Sequence, residues 1–196
     1  MYRFACWPGH TDFPCQLRIP NDLKPDVMNY SIRNATSSDL EPVLALNESV
    51  VPHVNSLMLS DLQDFLVKAA YFRVAVDDDG QILSFLIGLA PDTEYDSPNF
   101  LWFCRHYRHF AYVDRVAVAQ QARRRGIAEA LYDDFATFAL GWARRMSCEV
   151  NLRPANPGSL AFHQRMGFTQ VGAQEIHNGS KKVAMLIREM NTQETV

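Results

Sequence analysis

The 196-residue chain lacks any run approaching the roughly 18 uninterrupted apolar residues that a membrane-spanning helix requires, and its opening, MYRFACWPGHTDF, holds no continuous apolar signal segment. The expectation is a cytoplasmic protein with no membrane partner. Cysteine is sparse and scattered: Cys6, Cys15, Cys104 and Cys148 form no C-x-x-C pair. Neither a zinc site nor a disulfide framework is expected, and the thiols read as reduced and mostly buried. An excess of positive charge is also missing. The net charge of −3 argues against a nucleic-acid partner, because phosphate-driven binding needs a strongly basic face. Internal repeats and low-complexity tracts are absent too. What is present is the balance of an ordinary packed domain, 47% hydrophobic and 21% charged.

The first 27 residues carry four prolines and no useful periodicity, so 1–27 reads as an appended extension. A domain is expected over 28–190, followed by a short tail at 191–196. Met28 is an alternative translation start, an idea that an N-terminus mapped to Met1 in native material would exclude. Tyr30 and Ile32 alternate as in a strand, and Ser37 or Ser38 with Glu41 resembles a helix-opening capping box. Leu40, Val43, Leu44 and Val50 follow at helical spacing, Pro52 interrupts, and Leu59, Leu62, Phe65 and Leu66 predict a second helix. Runs at 71–77 and 81–90 flank Asp78, Asp79 and Gly80, a hairpin signal, and a long strand is expected at 110–118 after an irregular connection. The stripe Ile127, Leu131, Phe135, Phe138 and Trp142 predicts a helix over 125–145. A strand at 147–151, a helix near 159–166 and strands near 168–175 and 182–188 complete the order β-α-α-β-β-β-α-β-α-β-β. This is an α/β (α+β) mixed sheet with helices on both faces.

The sharpest feature is VAVAQQARRRGIAEAL at 116–131, where a strand passes through a polar loop into a helix. The first-turn N–H groups of a helix lack intrahelical partners and sit at its positive end, so the main chain at Gly126, Ile127 and Ala128 can hold a phosphate group. Gly126 and Ala128 are small enough to let a ligand reach the backbone, and Arg123, Arg124 and Arg125 add three permanent cations. An ordinary solvated helix entry would look much the same, so this junction alone does not decide.

Arg123-x-x-Gly126-x-Ala128 resembles the R/Q-x-x-G-x-G/A motif of the GNAT superfamily of acyl-CoA N-acyltransferases. NLRPANPGSLAFHQRMGF at 151–168 is similar to a second block of that family, with Asn156, Ser159, Phe162, His163, Gly167 and Phe168 in matching places. SIRNATSSDLEPV resembles its first strand and helix, so the likeness covers roughly 29–190. The resemblance implies a twisted, mostly antiparallel sheet of about seven strands and acetyl-CoA as co-substrate, with no metal. It further implies that the arginine loop holds the pyrophosphate, that Asn156, Ser159 and Phe162 meet the cofactor arm, and that backbone N–H groups of Val116, Ala117 and Val118 reach the thioester and pantetheine.

Acyl transfer to an amine also needs a base and a proton for the departing thiolate. Strand alternation puts Asp114 on the face of Val116 and Val118, making it the first candidate base, with Tyr112 and Glu48 as lesser, substrate-side candidates. The family often has Glu at the position of Asp114, and the shorter side chain favours a water relay. Pairing of Asp114 with Arg115 is the competing structural reading. Where many relatives carry a tyrosine that protonates the thiolate, this chain has His163, which reads either as an acid or as a structural histidine.

Cys148 reads as a core thiol, and Cys104, His106 and His109 match no metal spacing. The aromatic-rich stretch 91–110 offers Asp92, Glu94 and Asp96 to a cationic amine, or Phe100, Trp102, Phe103 and Tyr107 to an apolar one. The leading expectation is N-acetylation of a small-molecule amine. Modification of protein lysines or N-termini is the second reading, and a non-catalytic CoA-binding module the third. Pairing of two copies through sheet edges or the N-terminal extension stays open.

Overall fold

The computed structural model describes residues 29–176 and 178–190. The expectations for 1–27, Met28 and 191–196 lie outside the described residues. Seven strands form one sheet in the order β1-β2-β3-β4-β5-β7-β6. They are β1 (Tyr30–Asn34), β2 (Tyr71–Asp77), β3 (Ile82–Leu89), β4 (Phe110–Val118), β5 (Arg145–Arg153), β6 (Thr169–Ile176) and β7 (Lys181–Glu189). Every neighbouring pair is antiparallel except β4 and β5. The mixed, mostly antiparallel seven-stranded architecture expected from the sequence is the one found.

Five α-helices cover the sheet: α1 (Leu40–Glu48), α2 (Leu59–Lys68), α3 (Pro98–His106), α4 (Ile127–Ala139) and α5 (Pro157–Arg165). On one face Ile127, Leu131 and Phe135 of α4 pack with Ala111, Val113, Met146 and Cys148. On the other, Leu40, Val43, Leu62, Phe65, Phe100 and Phe103 from α1, α2 and α3 pack with Phe85, Ile87, Tyr112 and Met185. Burying both faces explains the near-continuous apolar runs in β2 and β3. No helix among the described residues is long and apolar enough to cross a membrane.

Four local expectations need correction. The connection at 91–110 contains α3: Pro98 fits a first helical position, and Phe100 and Phe103 turn inward three residues apart. The capping box uses Thr36 and Asp39 rather than Ser37 or Ser38 with Glu41; Thr36 N–H donates to Asp39 Oδ2 at 2.8 Å. Helix α1 ends at Glu48, leaving Val50 in the following loop. Helix α4 stops at Ala139, where the Leu140 N–H tightens onto the Thr137 carbonyl ahead of Gly141, and Phe138 is left exposed.

The feature that positions the site is a failure of strand pairing. β4 and β5 run side by side only from Phe110 opposite Arg145 to Tyr112 opposite Ser147. Beyond that rung both strands continue for six residues without each other. A bulge accompanies the split, for Ile87 of β3 faces Arg115 while Gly88 faces Val113, leaving Asp114 as the extra residue.

Candidate active site at the split between β4 and β5

A cavity of about 1000 Å³ occupies the split. It takes residues from both sheet faces: Ile127, Ala128, Asn156 and Phe162 on the side of α4 and α5, and Asn55, Asn99, Glu149 and Lys181 on the other. A ligand entering from one face can therefore meet a second ligand entering from the opposite face.

On the α4 side the backbone is open, with unpaired main-chain donors next to basic side chains. Gly126 adopts φ +77°, a left-handed conformation that strains any residue with a β-carbon, and nothing stands within 4 Å of where that carbon would be. The glycine is thus required by the backbone conformation, while the open space leaves the main chain approachable. Arg124 is left-handed as well, at φ 61°. The first bond of the helix runs from Ala130 N–H to the Gly126 carbonyl, so the N–H groups of Ile127, Ala128 and Glu129 face outward. Arg123 and Arg124 line the cavity and Arg125 does not.

Register decides which amides of β4 are available. Ala119 N–H bonds the Leu83 carbonyl at 2.8 Å, and the two-residue alternation of an antiparallel ladder then turns Ala117 toward β3 as well. Val116 and Val118 consequently aim their N–H groups into the split. Of the three amides expected from the sequence to meet the co-substrate, those of Val116 and Val118 open into the split, and that of Ala117 is committed to the sheet. Asn156 caps α5 by accepting the Ser159 N–H at 3.1 Å, so its side chain has a structural task at the cavity wall.

His163 is 4% exposed and both its nitrogens are engaged. Nδ1–H donates to the Ser159 carbonyl at 2.8 Å, which leaves Nε2 to accept the Tyr132 hydroxyl at 2.7 Å. Burial holds the imidazole below its usual pKa, opposed by the bond to the Ser159 carbonyl. Tyr132, on α4, was not singled out by the sequence. Only the pairing across two helices reveals it.

The acceptor side is rebuilt by the bulge. Simple alternation put Asp114 beside Val116 and Val118, but the extra residue shifts the phase. Val116 and Val118 pack toward α4, whereas Asp114 lies with Arg115, which faces Phe65 on the opposite side. Asp114 Oδ2 accepts from Arg115 Nε at 2.7 Å, with the two side chains 4% and 7% exposed. Arg115 also donates to Asn47 Oδ1 at 3.1 Å and to the Asn55 carbonyl at 3.3 Å. Asp114 is therefore a buried, paired carboxylate.

A second hydrogen-bonded carboxylate of the cavity wall, besides the lining residues Asp96 and Glu129, is Glu149 on β5, which sequence reasoning missed. Its Oε2 accepts the Tyr112 hydroxyl at 2.7 Å and its Oε1 accepts Asn99 Nδ2 at 2.9 Å. Burial first, and the Asp114 charge second, push Glu149 up to about 7, while the bonds from Tyr112 and Asn99 and the Lys181 charge pull the other way. A glutamate within a predicted buried strand was the available signal, since such residues are almost never buried without a task. Tyr112 is not in the cavity wall but supports Glu149 from behind. Glu48 is not in the wall either: it is exposed, and it ties down the loop after α1 through Ser56 Oγ at 2.8 Å and Leu57 N–H at 3.0 Å. Among the described residues no three His, Cys, Asp or Glu side chains come together as a metal site.

The model of the acetyltransferase (GNAT) family matches residues 39–168. No curated protein sequence matches the chain. Solved structures with the same fold include Ard1 from Thermoplasma volcanium, with a TM-score of 0.67 and 18% identity over 83% of this chain and 98% of that one. Naa20 from Chaetomium thermophilum, in complex with a bisubstrate analogue, has a TM-score of 0.65 and 24% identity over 82% and 86%. A phosphinothricin acetyltransferase from Sinorhizobium meliloti, in complex with AcCoA, has a TM-score of 0.64 and 20% identity over 84% and 90%. With the family model spanning most of the described domain and the split sheet in place, the chain belongs to the acetyltransferase (GNAT) family.

Proposed function

We propose that the protein transfers an acetyl group from acetyl-CoA directly to the primary amine of a small molecule, with both substrates bound at once. The observation that carries this reading is one continuous cavity lined from both faces of the sheet, with open main-chain N–H groups on the α4 side and Glu149 on the other. The α4 end fits the co-substrate: outward N–H groups at Ile127 to Glu129 with Arg123 and Arg124 would hold its pyrophosphate, and the N–H groups of Val116 and Val118 would hold its arm and thioester oxygen. A positioned backbone donor of this kind contributes about 3 kcal/mol in acyl-transfer sites.

Acetyl-CoA supplies the acetyl group as a thioester: a nitrogen–carbon bond forms as the carbon–sulfur bond breaks, nitrogen gives up a proton, and the thiolate gains one. Glu149 takes the nitrogen proton. Its position in the cavity and its balance near neutrality suit a base that must ionise at working pH yet accept a proton from an ammonium of pKa about 10.4. Asp114 acts on Glu149 through its charge rather than on the amine. At the other end the Tyr132 hydroxyl supplies the proton to sulfur, turning about its C–O bond away from His163 Nε2. His163 is then a positioning residue, holding Tyr132 at the cavity wall.

Isothermal titration with acetyl-CoA, followed by thiol release across an amine panel, tests the reading. Binding with turnover of small amines is expected. Binding without turnover of any amine would replace it with a CoA-binding module, and turnover confined to peptides would replace it with a protein acetyltransferase.

A further inference from the structure

Resting on that reading, we infer that the acceptor is a small amine bearing a carboxylate, and that Lys181 is the residue that binds the carboxylate. Two basic side chains reach the acceptor half of the cavity from the sheet, Arg115 and Lys181. Arg115 is fully engaged by Asp114, Asn47, Asn55 and the face of Phe65. Lys181 is half-buried, and its Nζ donates to Asn55 Oδ1 at 3.0 Å. Among the described residues no carboxylate stands within 4.0 Å of that ammonium, which leaves donors to spare. The contrast with Lys182 is instructive. Lys182 Nζ lies 3.6 Å from Glu175 Oε1, whereas Lys181 is turned into the cavity.

The position on β7 relates Lys181 to Glu149. Lys181 shares a sheet face with Val183 and Met185, and Met185 is the register partner of Glu149. Base and cation therefore stand on one face of adjacent strands, four residues apart along β7, or about 13 Å of backbone. Both side chains line the same cavity and their charges act on each other, so the gap between the two charged ends is shorter than that backbone span. What remains suits one small skeleton with its amine at Glu149 and its carboxylate at Lys181. Holding an anion at Lys181 also offsets the cost of a cation half removed from water.

The surroundings favour a small acceptor over a polypeptide. The loop between α1 and α2 is strapped across this mouth, with Asn151 Nδ2 donating to the His53 carbonyl at 3.3 Å, Arg115 to the Asn55 carbonyl, and Lys181 to the Asn55 side chain. On the far side Gln174 Nε2 donates to Asn99 Oδ1 at 3.0 Å, and Trp102 of α3 lies so close to β6 that a β-carbon on Gly172 would meet its ring at 2.8 Å. A chain threaded between the loop and the β6–β7 hairpin would have to break the Lys181–Asn55 bridge.

The test offers each acceptor side chain to the full-length protein in three forms: the amino acid with its free carboxylate, the corresponding amide, and the decarboxylated amine. N-terminal tetrapeptides form a fourth arm. Thiol release is expected to favour the free carboxylate in kcat/KM by at least tenfold. Lys181→Met should lower kcat/KM for the carboxylate form at least ten times more than for the amide, mainly through KM, and Lys181→Arg should restore part of the preference. Equal losses for the two forms, or a wild-type preference for amides, amines or peptides, would overturn the inference while leaving acetyl transfer intact. Acetyl-CoA binding with no turnover in any arm would overturn the functional reading itself.

Discussion

The Glu149 carboxylate accepts the Tyr112 hydroxyl at 2.7 Å just past the last rung at which β4 and β5 still run side by side. Tyr112 thereby fixes a carboxylate at the point where the sheet opens, and Asn99 of α3 fixes its second oxygen.

The pH dependence follows from that arrangement. Glu149 must be ionised to take a proton, so kcat/KM should fall as pH drops through about 7. Glu149→Gln should lose about 10²-fold or more in kcat and abolish the inflection. Because its folded pKa lies above the unfolded value, Glu149 favours folding below the unfolded pKa of about 4.5, and that contribution is lost as pH rises through about 7. Thermal melts should show Glu149→Gln gaining stability relative to wild type at pH 8 and not at pH 4.

Asp114→Asn separates two roles. Removing a buried charge beside Glu149 should move the acidic limb of the kcat/KM profile to lower pH, since the Asp114 charge raises Glu149. Leaving Arg115 buried without its partner should cost about 3–5 kcal/mol in denaturant unfolding. Loss of turnover at every pH in a folded variant would instead make Asp114 the base.

Tyr132→Phe should lower kcat for the thioester more than the affinity for acetyl-CoA. His163→Phe leaves the buried Tyr132 hydroxyl without its acceptor, an unpaired group that costs about 1–3 kcal/mol, so it should both destabilise and slow the protein. His163→Gln, which can accept the same hydroxyl, should recover part of kcat. Wild-type kcat in Tyr132→Phe would remove it as the proton source.

Gly126→Ala meets no neighbour within 4 Å, so its cost is the left-handed backbone alone, about 1–2 kcal/mol. Titration should show acetyl-CoA binding weakened about tenfold. Gly126→Glu adds a negative charge where the pyrophosphate is expected and should abolish measurable binding. Equal affinities in the two variants would remove the loop from the cofactor site.

Much of the site was legible in residue types and spacing. The arginines, Gly126 and Ala128 announce a helix start with open main-chain donors, because such donors and small side chains are fixed by local spacing. The helix near 159–166 was legible as well, and the structure opens it at Asn156, which caps it through the Ser159 N–H. By contrast α3 was hidden inside an aromatic-rich connection in which inward and outward rings alternate too densely to show a stripe.

Most of the strands and helices and the family were legible in the sequence alone, since periodicity, capping and local motifs act over a few residues; α3 was not. Which carboxylate is proposed as the base was decided by tertiary structure. A single extra residue at Asp114 reverses the face of every side chain before it relative to those after it, and this turns Asp114 onto Arg115. Residues far apart in the chain are then brought together: Tyr112, Asn99 and Lys181 around Glu149, and Tyr132 against His163. Charge balance and hydrogen-bond direction at such sites depend on distances across the sheet, which no local pattern encodes.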